Sequence, residues 1–235
     1  MKYNRILLKL SGESLMAEDG YSIGYAAVDH YASEIEAAVK QRVQVGVVIG
    51  GGNIFRGVGG ANQGFDRRQG DHMGMLATVI NAMALQGVLE QRGVKAKVLT
   101  AFAIEGMTEK VFFKNAVQYL ENGYVVIFGG GTGNPFFTTD SGAARRALEI
   151  GADALLKGTR VDGVYTADPE KDPTATRYDE LTFEKALADK LKVMDLTAYA
   201  LCEQGPVPII VFNVEQDGNL ARLLNGEKIG TIVHA

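Results

Sequence analysis

The chain has 235 residues, of which 46% are hydrophobic and 22% charged, and 24 Lys and Arg against 28 Asp and Glu leave a formal net charge of −4. This composition is too apolar for a disordered chain, and the mild negative charge argues against general nucleic-acid binding, which needs clustered basic residues. Cys202 is the only cysteine, so an intrachain disulfide is excluded, and no uninterrupted apolar run reaches the length of a signal sequence or a membrane span. We therefore expect a cytoplasmic protein with neither a nucleic-acid nor a membrane partner.

Short β-rich runs alternate with helix-like segments along the chain. The predicted strands cover residues 6–10, 43–49, 95–99, 124–128, 154–156 and 207–212. Several are almost continuous in Val, Ile and Leu, which is typical of parallel strands buried on both faces. Apolar residues at helical spacing predict helices around 28–39, 73–87 and 111–120. The alternation predicts an α/β fold with a largely parallel sheet, and no linker-like tract divides residues 1–235, so a single domain is expected. The longest surface loop is predicted at 165–178.

Glycine is the one residue type in clear excess, with 29 in the chain, and it clusters after strands. Gly12 follows the first predicted strand, residues 50–52 follow the second, and residues 129–131 with Gly133 follow the fourth. Because ligands of open parallel sheets bind beyond the carboxyl ends of the strands, and glycine lets backbone N–H groups approach phosphates, these loops predict a multiply phosphorylated ligand. Tight turns without a ligand are the alternative. The absence of Gly-x-x-x-x-Gly-Lys-Ser/Thr excludes a P-loop protein.

Three segments resemble the amino-acid kinase superfamily: Lys-Leu-Ser-Gly-Glu at 9–13, Ile-Gly-Gly-Gly-Asn at 49–53, and Asp-Gly-Val-Tyr-Thr-Ala-Asp-Pro at 162–169. Within it, the chain is more closely similar to the bacterial-type UMP kinases. That resemblance depends on residues 71–78, on Gly-Thr-Gly-Asn-Pro-Phe-Phe-Thr-Thr-Asp-Ser at 131–141, and on Lys-Val-Met-Asp-Leu at 192–196. The resemblance runs in order from residue 9 to about residue 213.

This resemblance implies a three-layer αβα sandwich on a mostly parallel central sheet, assembled as a homohexamer. The implied reaction is reversible transfer of the ATP γ-phosphoryl group to UMP with Mg²⁺, giving UDP and ADP in pyrimidine nucleotide synthesis. UTP is the expected inhibitor, competing with UMP, and GTP is a candidate effector. Gln86 and Glu90 stand where Gram-negative-type members carry basic residues, so activation by GTP stays open. Residues 17–22 correspond to a variable, regulation-associated loop.

The resemblance also implies site residues. ATP is expected to contact Lys9, Leu10, Ser11, Gly12, Gly52, Arg56, Thr159, Tyr165 and Asp168. UMP is expected to contact Gly51, Asp71, Thr132, Gly133, Asn134, Pro135, Phe136, Phe137, Thr138 and Thr139. Around the transferred group we expect Lys9, Arg56, Asp140, Lys157 and Asp195, while Mg²⁺ is held mainly by the nucleotide phosphates and not by a direct protein ligand.

These residue types suit phosphoryl transfer, which depends mostly on positioning and on stabilising charge. Because the second pKa of a phosphate monoester is near 6, UMP needs no strong general base. Each assignment has a plainer alternative. The cations could be solvated surface residues, Asp71, Asp140 and Asp195 could simply cap helices, and one of Phe136 and Phe137 could belong to the core.

Two other functions compete with this hypothesis. Another small-molecule kinase of the superfamily should lack the run at 131–140. A catalytically silent nucleotide sensor would not need charges placed around the transferred group, so Lys9, Arg56, Asp140 and Asp195 argue against it.

Overall fold

A nine-stranded sheet forms the centre of the computed structural model, which describes residues 3–17, 22–56, 64–191, 194–205 and 207–235. Its strands are β1 Arg5–Leu10, β2 Gln44–Ile49, β3 Ala96–Thr100, β4 Glu109–Lys110, β5 Val125–Gly129, β6 Ala154–Thr159, β9 Glu180–Thr182, β10 Ile209–Asn213 and β11 Thr231–His234. Two further strands, β7 Val164–Tyr165 and β8 Arg177–Tyr178, pair as an antiparallel hairpin. The helices are α1 Tyr25–Lys40, α2 Arg67–Gln91, α3 Phe113–Glu121, α4 Thr139–Ile150, α5 Phe183–Ala188, α6 Leu196–Gln204 and α7 Asn219–Leu224, with a 3-10 turn at Glu13–Leu15.

The strand order is β4-β3-β5-β2-β1-β6-β10-β11-β9. Neighbours from β4 to β10 are parallel, whereas β11 runs antiparallel to β10 and parallel to β9. Both faces of the sheet are buried because side chains alternate along each strand. Leu8 belongs to the core that α1, α2 and α7 cover, and its neighbour Leu7 belongs to the core on the other face, which α3, α4, α5 and α6 cover. The expected αβα sandwich on a mostly parallel sheet is confirmed.

All six predicted strands are present, with ends displaced by at most three residues. The largest displacement is at β6, which continues past residue 156 to Thr159 and so brings Lys157 into the sheet. The remaining strands have two to four residues, too few for a periodic pattern to reveal them. The predicted loop at 165–178 extends into the β7–β8 hairpin: residues 166–176 connect the two strands, whereas Tyr165 lies in β7 and pairs with Arg177 of β8.

The start of α2 differs from the prediction. The helix begins at Arg67, and Asp66 caps it by accepting hydrogen bonds from the N–H of Arg68 at 3.0 Å and of Gln69 at 3.3 Å. Asp71 therefore lies inside the helix, and its interpretation as a helix cap is wrong. Its carboxylate is available for other contacts.

The start of α4 also differs from the prediction. A threonine hydroxyl, and not an aspartate carboxylate, accepts hydrogen bonds from the free N–H groups of the first turn. Thr138 is the cap and accepts from the N–H of Asp140 at 3.0 Å. Asp140 lies in the first turn, so its interpretation as the cap is wrong. At α6 the prediction is confirmed, since Asp195 is the cap and accepts from the N–H of Ala198 at 2.7 Å.

Within the described ranges, α2 is the one helix long and apolar enough to match a membrane span by length and composition. Half of the matching window is buried against the rest of the fold. Core helices of globular proteins meet the same criterion, because a helix that packs on a sheet also needs a wide apolar face.

Candidate active site

Two lysines and one aspartate form an ion-pair cluster at the carboxyl ends of β1 and β6. The Lys9 Nζ lies 2.9 Å from Asp140 Oδ1, and the Lys157 Nζ lies 3.0 Å from Asp140 Oδ2. The side chains are only 11%, 16% and 16% exposed, for Lys9, Asp140 and Lys157 respectively. Although Lys9 is close, Oδ1 is a buried oxygen that receives no aligned hydrogen bond within the described residues. The contact with Lys9 is therefore held by charge.

Burial and charge act in opposite directions on the Asp140 carboxyl. Burial by itself would raise the pKa of Asp140, but the ammonium groups of Lys9 and Lys157 outweigh it and hold the pKa below its ordinary value. Burial lowers the pKa of Lys157, and the nearby carboxylate of Asp140 offsets part of that effect. The cluster holds two cations and one anion, which leaves a net positive charge where an anionic ligand would neutralise it.

A cavity of about 480 Å³ opens on the Lys9 side of the cluster, and we call it the glycine-loop cavity. Its walls are the loops after β1, β2 and β5 together with the first turns of α2. The predicted site residues that line it are Lys9, Ser11, Gly12, Gly51, Gly52, Arg56, Asp71, Thr132, Asn134, Phe137, Thr138 and Thr139. The three glycine loops predicted from the sequence therefore do meet at one edge of the sheet.

A second cavity, of about 580 Å³, opens on the Lys157 side, between the end of β6 and the β7–β8 hairpin. We call it the hairpin cavity. It is lined by Thr159, Tyr165 and Asp168, three of the residues expected to hold the donor nucleotide. The lysine–aspartate cluster thus lies where the two cavities approach each other, with Lys9 in one wall and Lys157 in another.

The first two loops are packed so closely that glycine is required. A Cβ on Gly12 would lie 2.4 Å from the carbonyl oxygen of Gly50 and 2.7 Å from the nitrogen of Gly52. A Cβ on Gly51 would lie 2.8 Å from the carbonyl oxygen of Gly74 in α2. Beside them, the Arg56 guanidinium forms an ion pair with Glu13, a cavity residue that ends the motif at 9–13 but is absent from the predicted site residues.

Asp71 lies in the glycine-loop cavity with both carboxylate oxygens bonded. The Arg67 Nε donates to its two oxygens at 2.9 and 3.0 Å, and the Phe136 N–H donates to Oδ2 at 2.8 Å. Phe136 adopts φ +71°, an unusual value for a residue with a side chain. Arg67, also absent from the predicted set, stacks 5.8 Å from the Phe136 ring centre. Asp71 therefore anchors the loop at 131–137 to α2.

Several predicted residues do not reach a cavity wall. Leu10 is fully buried and packs in the core on one face of the sheet. Gly133, Pro135 and Phe136 are not among the residues lining the glycine-loop cavity. Both Phe136 and Phe137 are exposed, by 65% and 50%, so the alternative of a core position is wrong for each.

Asp195 connects the N-termini of two helices. The Ser141 hydroxyl donates to its Oδ2 at 2.8 Å, and the Thr138 hydroxyl donates to the same oxygen. With the Ala198 N–H on Oδ1, the carboxylate holds α6 against the first turn of α4, where Asp140 lies. Asp195 is therefore adjacent to the charged cluster, and its negative charge offsets part of the lowering of the Lys157 pKa.

No group of three or more His, Cys, Asp or Glu side chains in the described part of the chain is placed to hold a metal ion. Two predicted features fall outside the described residues: Lys192 and Val193 of the motif at 192–196, and most of the regulation-associated segment at 17–22.

Comparison with known proteins agrees with this geometry. The amino acid kinase family matches residues 4–213. The uridylate kinase of Bacteroides thetaiotaomicron is 57% identical over 233 residues, which cover 99% of each chain, and that of Porphyromonas gingivalis is 59% identical over 98% of this chain and 97% of its own. The crystal structure of UMP kinase from Bacillus anthracis superposes with a TM-score of 0.96 at 39% identity, covering 99% of this chain and 96% of that one.

A mostly parallel sheet with paired lysines beneath glycine loops defines a phosphate-binding α/β protein, and the family match makes that class specific. The chain belongs to the amino acid kinase family and, within it, to the uridylate kinases.

Proposed function

We propose that this chain transfers the γ-phosphoryl group of ATP to UMP, giving UDP and ADP, in pyrimidine nucleotide synthesis. The observation that carries the proposal is the position of the Lys9–Asp140–Lys157 cluster between two cavities of about 480 and 580 Å³, each in the size range of small-molecule sites. Two adjoining cavities with cations between them suit a reaction between two nucleotides. The uridylate kinase relatives support UMP as the acceptor.

In this proposal the ATP nucleoside occupies the hairpin cavity, beside Thr159, Tyr165 and Asp168, and its phosphates extend across the cluster toward Gly12, Gly52 and Arg56. UMP occupies the glycine-loop cavity, with its phosphate near Gly51. A UMP phosphate oxygen attacks the γ-phosphorus as the bond to the β–γ bridging oxygen breaks, and ADP leaves with that electron pair. Since the attacking oxygen is already ionised, the protein supplies position and positive charge.

The three cations proposed to act on the phosphates, Lys9, Lys157 and Arg56, are held in different surroundings. Lys9 and Lys157 are pre-oriented by Asp140, so little reorganisation is needed when phosphates arrive. The N-terminus of α4 adds the positive end of a helix dipole beside them. Arg56, paired with Glu13 at the cavity mouth, can fork onto phosphate oxygens.

We infer that Mg²⁺ enters as part of the ATP complex. Both Asp140 oxygens face lysine ammonium groups, and Asp195 is occupied by hydroxyl and amide donors, so neither carboxylate is prepared as a metal ligand. The nucleotide phosphates would hold the ion, which supplies charge neutralisation on the phosphate oxygens.

The acceptor subsite is proposed to read both ribose and uracil. Asp71 retains acceptor capacity beyond the donors from Arg67 and Phe136 and could take a ribose hydroxyl. The loop at 131–139 offers Asn134 and Thr132 as polar partners for the uracil edge, whereas the Thr138 hydroxyl is already bonded to Asp195 and to the first turn of α4. UTP would then inhibit by occupying the same cavity.

We further propose a single domain over residues 1–235, acting as a cytoplasmic homohexamer. Leu76, Ile80 and Met83 form an exposed apolar stripe on α2, with exposures of 49%, 50% and 42%, and a subunit contact would bury it. GTP stays a candidate effector. Gln86 and Glu90 are hydrogen-bonded to each other at 2.9 Å and offer no positive charge for its phosphates.

A coupled assay of ADP formation tests the function. With ATP and Mg²⁺ we expect rapid turnover of UMP, much slower turnover of CMP and dUMP, and none of AMP. Equal rates on all four acceptors, or no turnover, would contradict the assignment. Addition of UTP should raise the apparent KM for UMP, and addition of GTP reports whether it acts as an effector.

A further inference from the structure

A pair of side-chain amides joins the middle of α2 to the glycine loop after β2. Asn81 is fully buried, and its Nδ2 donates to the Gly50 carbonyl oxygen at 2.7 Å and to Asn53 Oδ1 at 2.8 Å. The Asn53 Nδ2 donates back to Asn81 Oδ1 at 3.1 Å. A buried side-chain amide destabilises the fold unless its hydrogen bonds are formed. The hydrogen bonds of Asn81 are formed with the loop after β2.

The bond to the Gly50 carbonyl oxygen fixes the orientation of the peptide unit that joins Gly50 to Gly51. The peptide bonds are trans, so the Gly51 N–H points to the side opposite the Gly50 carbonyl and away from Asn81. In the described ranges that N–H has no hydrogen-bond acceptor, although Gly51 lies in the wall of the glycine-loop cavity. Without Asn81, nothing on α2 would hold the Gly50 carbonyl, and the peptide could rotate.

One turn earlier on the same helix, Thr78 makes the corresponding contact to the other glycine loop. Thr78 is 3% exposed, and its hydroxyl oxygen accepts from the Gly130 N–H at 2.8 Å while donating to the Met75 carbonyl at 2.6 Å. Residues three apart lie on the same helix face. One face of α2 therefore bonds the loop after β2 and the loop after β5.

We propose that Asn81 and Thr78 are positioning residues that hold the two glycine loops in register, so that the N–H groups of Gly51 and Gly52 are presented to nucleotide phosphates. This inference rests on the proposed function, because the phosphates are those of UMP and ATP. Asn81 does not line the glycine-loop cavity, and Thr78, which does line it, directs its hydroxyl to Gly130 and Met75. We therefore expect both residues to affect binding through the loops that they hold.

The test measures the Kd of UMP and of ATP by titration calorimetry for Asn81→Ala, Thr78→Val, Thr78→Ser and Leu85→Ala. Leu85 is fully buried on the same helix and contacts the core, so its variant loses stability without losing a bond to either loop. We expect Asn81→Ala and Thr78→Val to raise both Kd values by about tenfold, the effect of a misplaced hydrogen-bond donor. Thr78→Ser, which keeps the hydroxyl, and Leu85→Ala should keep wild-type Kd values.

Wild-type Kd values in Asn81→Ala and Thr78→Val would overturn the inference. It would also be overturned if the Kd values of Leu85→Ala rose equally, because the effect would then come from general destabilisation. If Asn81→Ala lacks a cooperative thermal transition, the comparison of Thr78→Val with Thr78→Ser decides. Failure of the proposed function would be distinguished from failure of this inference. In the first case the wild-type chain would not phosphorylate UMP, but the Kd of ATP in the same variants would still report whether the loops are positioned by Asn81 and Thr78.

Discussion

Lys9 and Lys157 are directly paired residues of the neighbouring parallel strands β1 and β6. Paired residues of parallel neighbours lie about 4.8 Å apart and point to the same face of the sheet, so the two ammonium groups are necessarily brought together. Asp140 forms an ion pair with each of them and thereby relieves their repulsion. Bound phosphates would add negative charge to the same place, which makes the strand register itself part of the proposed phosphate site.

Loss of either lysine should reduce turnover without disrupting the fold. For Lys9→Ala and Lys157→Ala we expect kcat to fall by about two to three orders of magnitude, as when a preorganised donor to a developing charge is removed. The matched control is Lys185→Ala, which removes an exposed lysine paired with Asp189 and should leave kcat unchanged. Steady-state kinetics with circular dichroism check this, and a near-wild-type kcat for Lys9→Ala would remove Lys9 from the phosphoryl path.

Removal of the carboxylate between the lysines should destabilise the protein. Asp140→Asn leaves two mostly buried cations without their counter-ion, so we expect the free energy of unfolding to drop by about 3 to 5 kcal/mol. Asp189→Asn breaks the exposed Lys185 pair and should have no measurable effect. Denaturant titration of both variants is the measurement, and equal stability of Asp140→Asn and the wild type would contradict the ion-pair interpretation.

The same carboxylate predicts an acid-sensitive component of stability. The folded-state pKa of Asp140 lies below its ordinary value of 3.8 because the lysine charges outweigh burial. Its contribution is therefore complete above the ordinary value and is lost as the pH falls from there through the folded-state pKa. The free energy of unfolding should fall more steeply below pH 3.8 in the wild type than in Asp140→Asn. Parallel pH profiles would show that Asp140 does not supply this component.

Asp71 should control the acceptor side alone. Asp71→Ala removes the acceptor for the Phe136 N–H and the partner of Arg67, so the loop at 131–137 loses its anchor to α2. We expect the KM for UMP to rise by about tenfold or more while the KM for ATP is unchanged. Asp66→Ala, which removes the cap of the same helix but no cavity residue, is the control and should leave both KM values unchanged. An equal rise in both KM values for Asp71→Ala would argue against a separate acceptor subsite.

The single cysteine should report unfolding and not activity. Cys202 lies on α6 and is fully buried in the core, and burial raises the pKa of its thiol to about 12. The thiolate needed for reaction is therefore scarce near neutral pH. We expect a thiol reagent to label the native protein very slowly and the denatured protein rapidly, with no loss of activity before labelling. Rapid stoichiometric labelling of the folded enzyme would show that the α6 region opens.

Local patterns predicted the parts of the fold that depend on local sequence. Continuous apolar runs predicted the six longest strands, and glycines after those runs predicted the loops that meet in the glycine-loop cavity. Helix starts were less predictable, because Thr138 and Asp140 are both capping residue types two positions apart, and only the path of the backbone selects between them. Family resemblance supplied the roles of Lys9, Asp71 and Asp140, which composition and spacing do not distinguish from solvated or capping residues.

By itself, then, the sequence determined the order of strands and helices, the placement of glycines after strands, and the exclusion of a P-loop, since each follows from residues close together in the chain. Only the tertiary structure decided the pairing of Lys9 with Lys157, the anchoring of Phe136 by Asp71 and Arg67, and the bonds from Asn81 and Thr78 to two separate loops. The partners in these contacts are from 28 to 148 residues apart in sequence, except for Arg67 and Asp71, which lie one helical turn apart. Their proximity comes from sheet register and helix packing, which no local periodicity encodes.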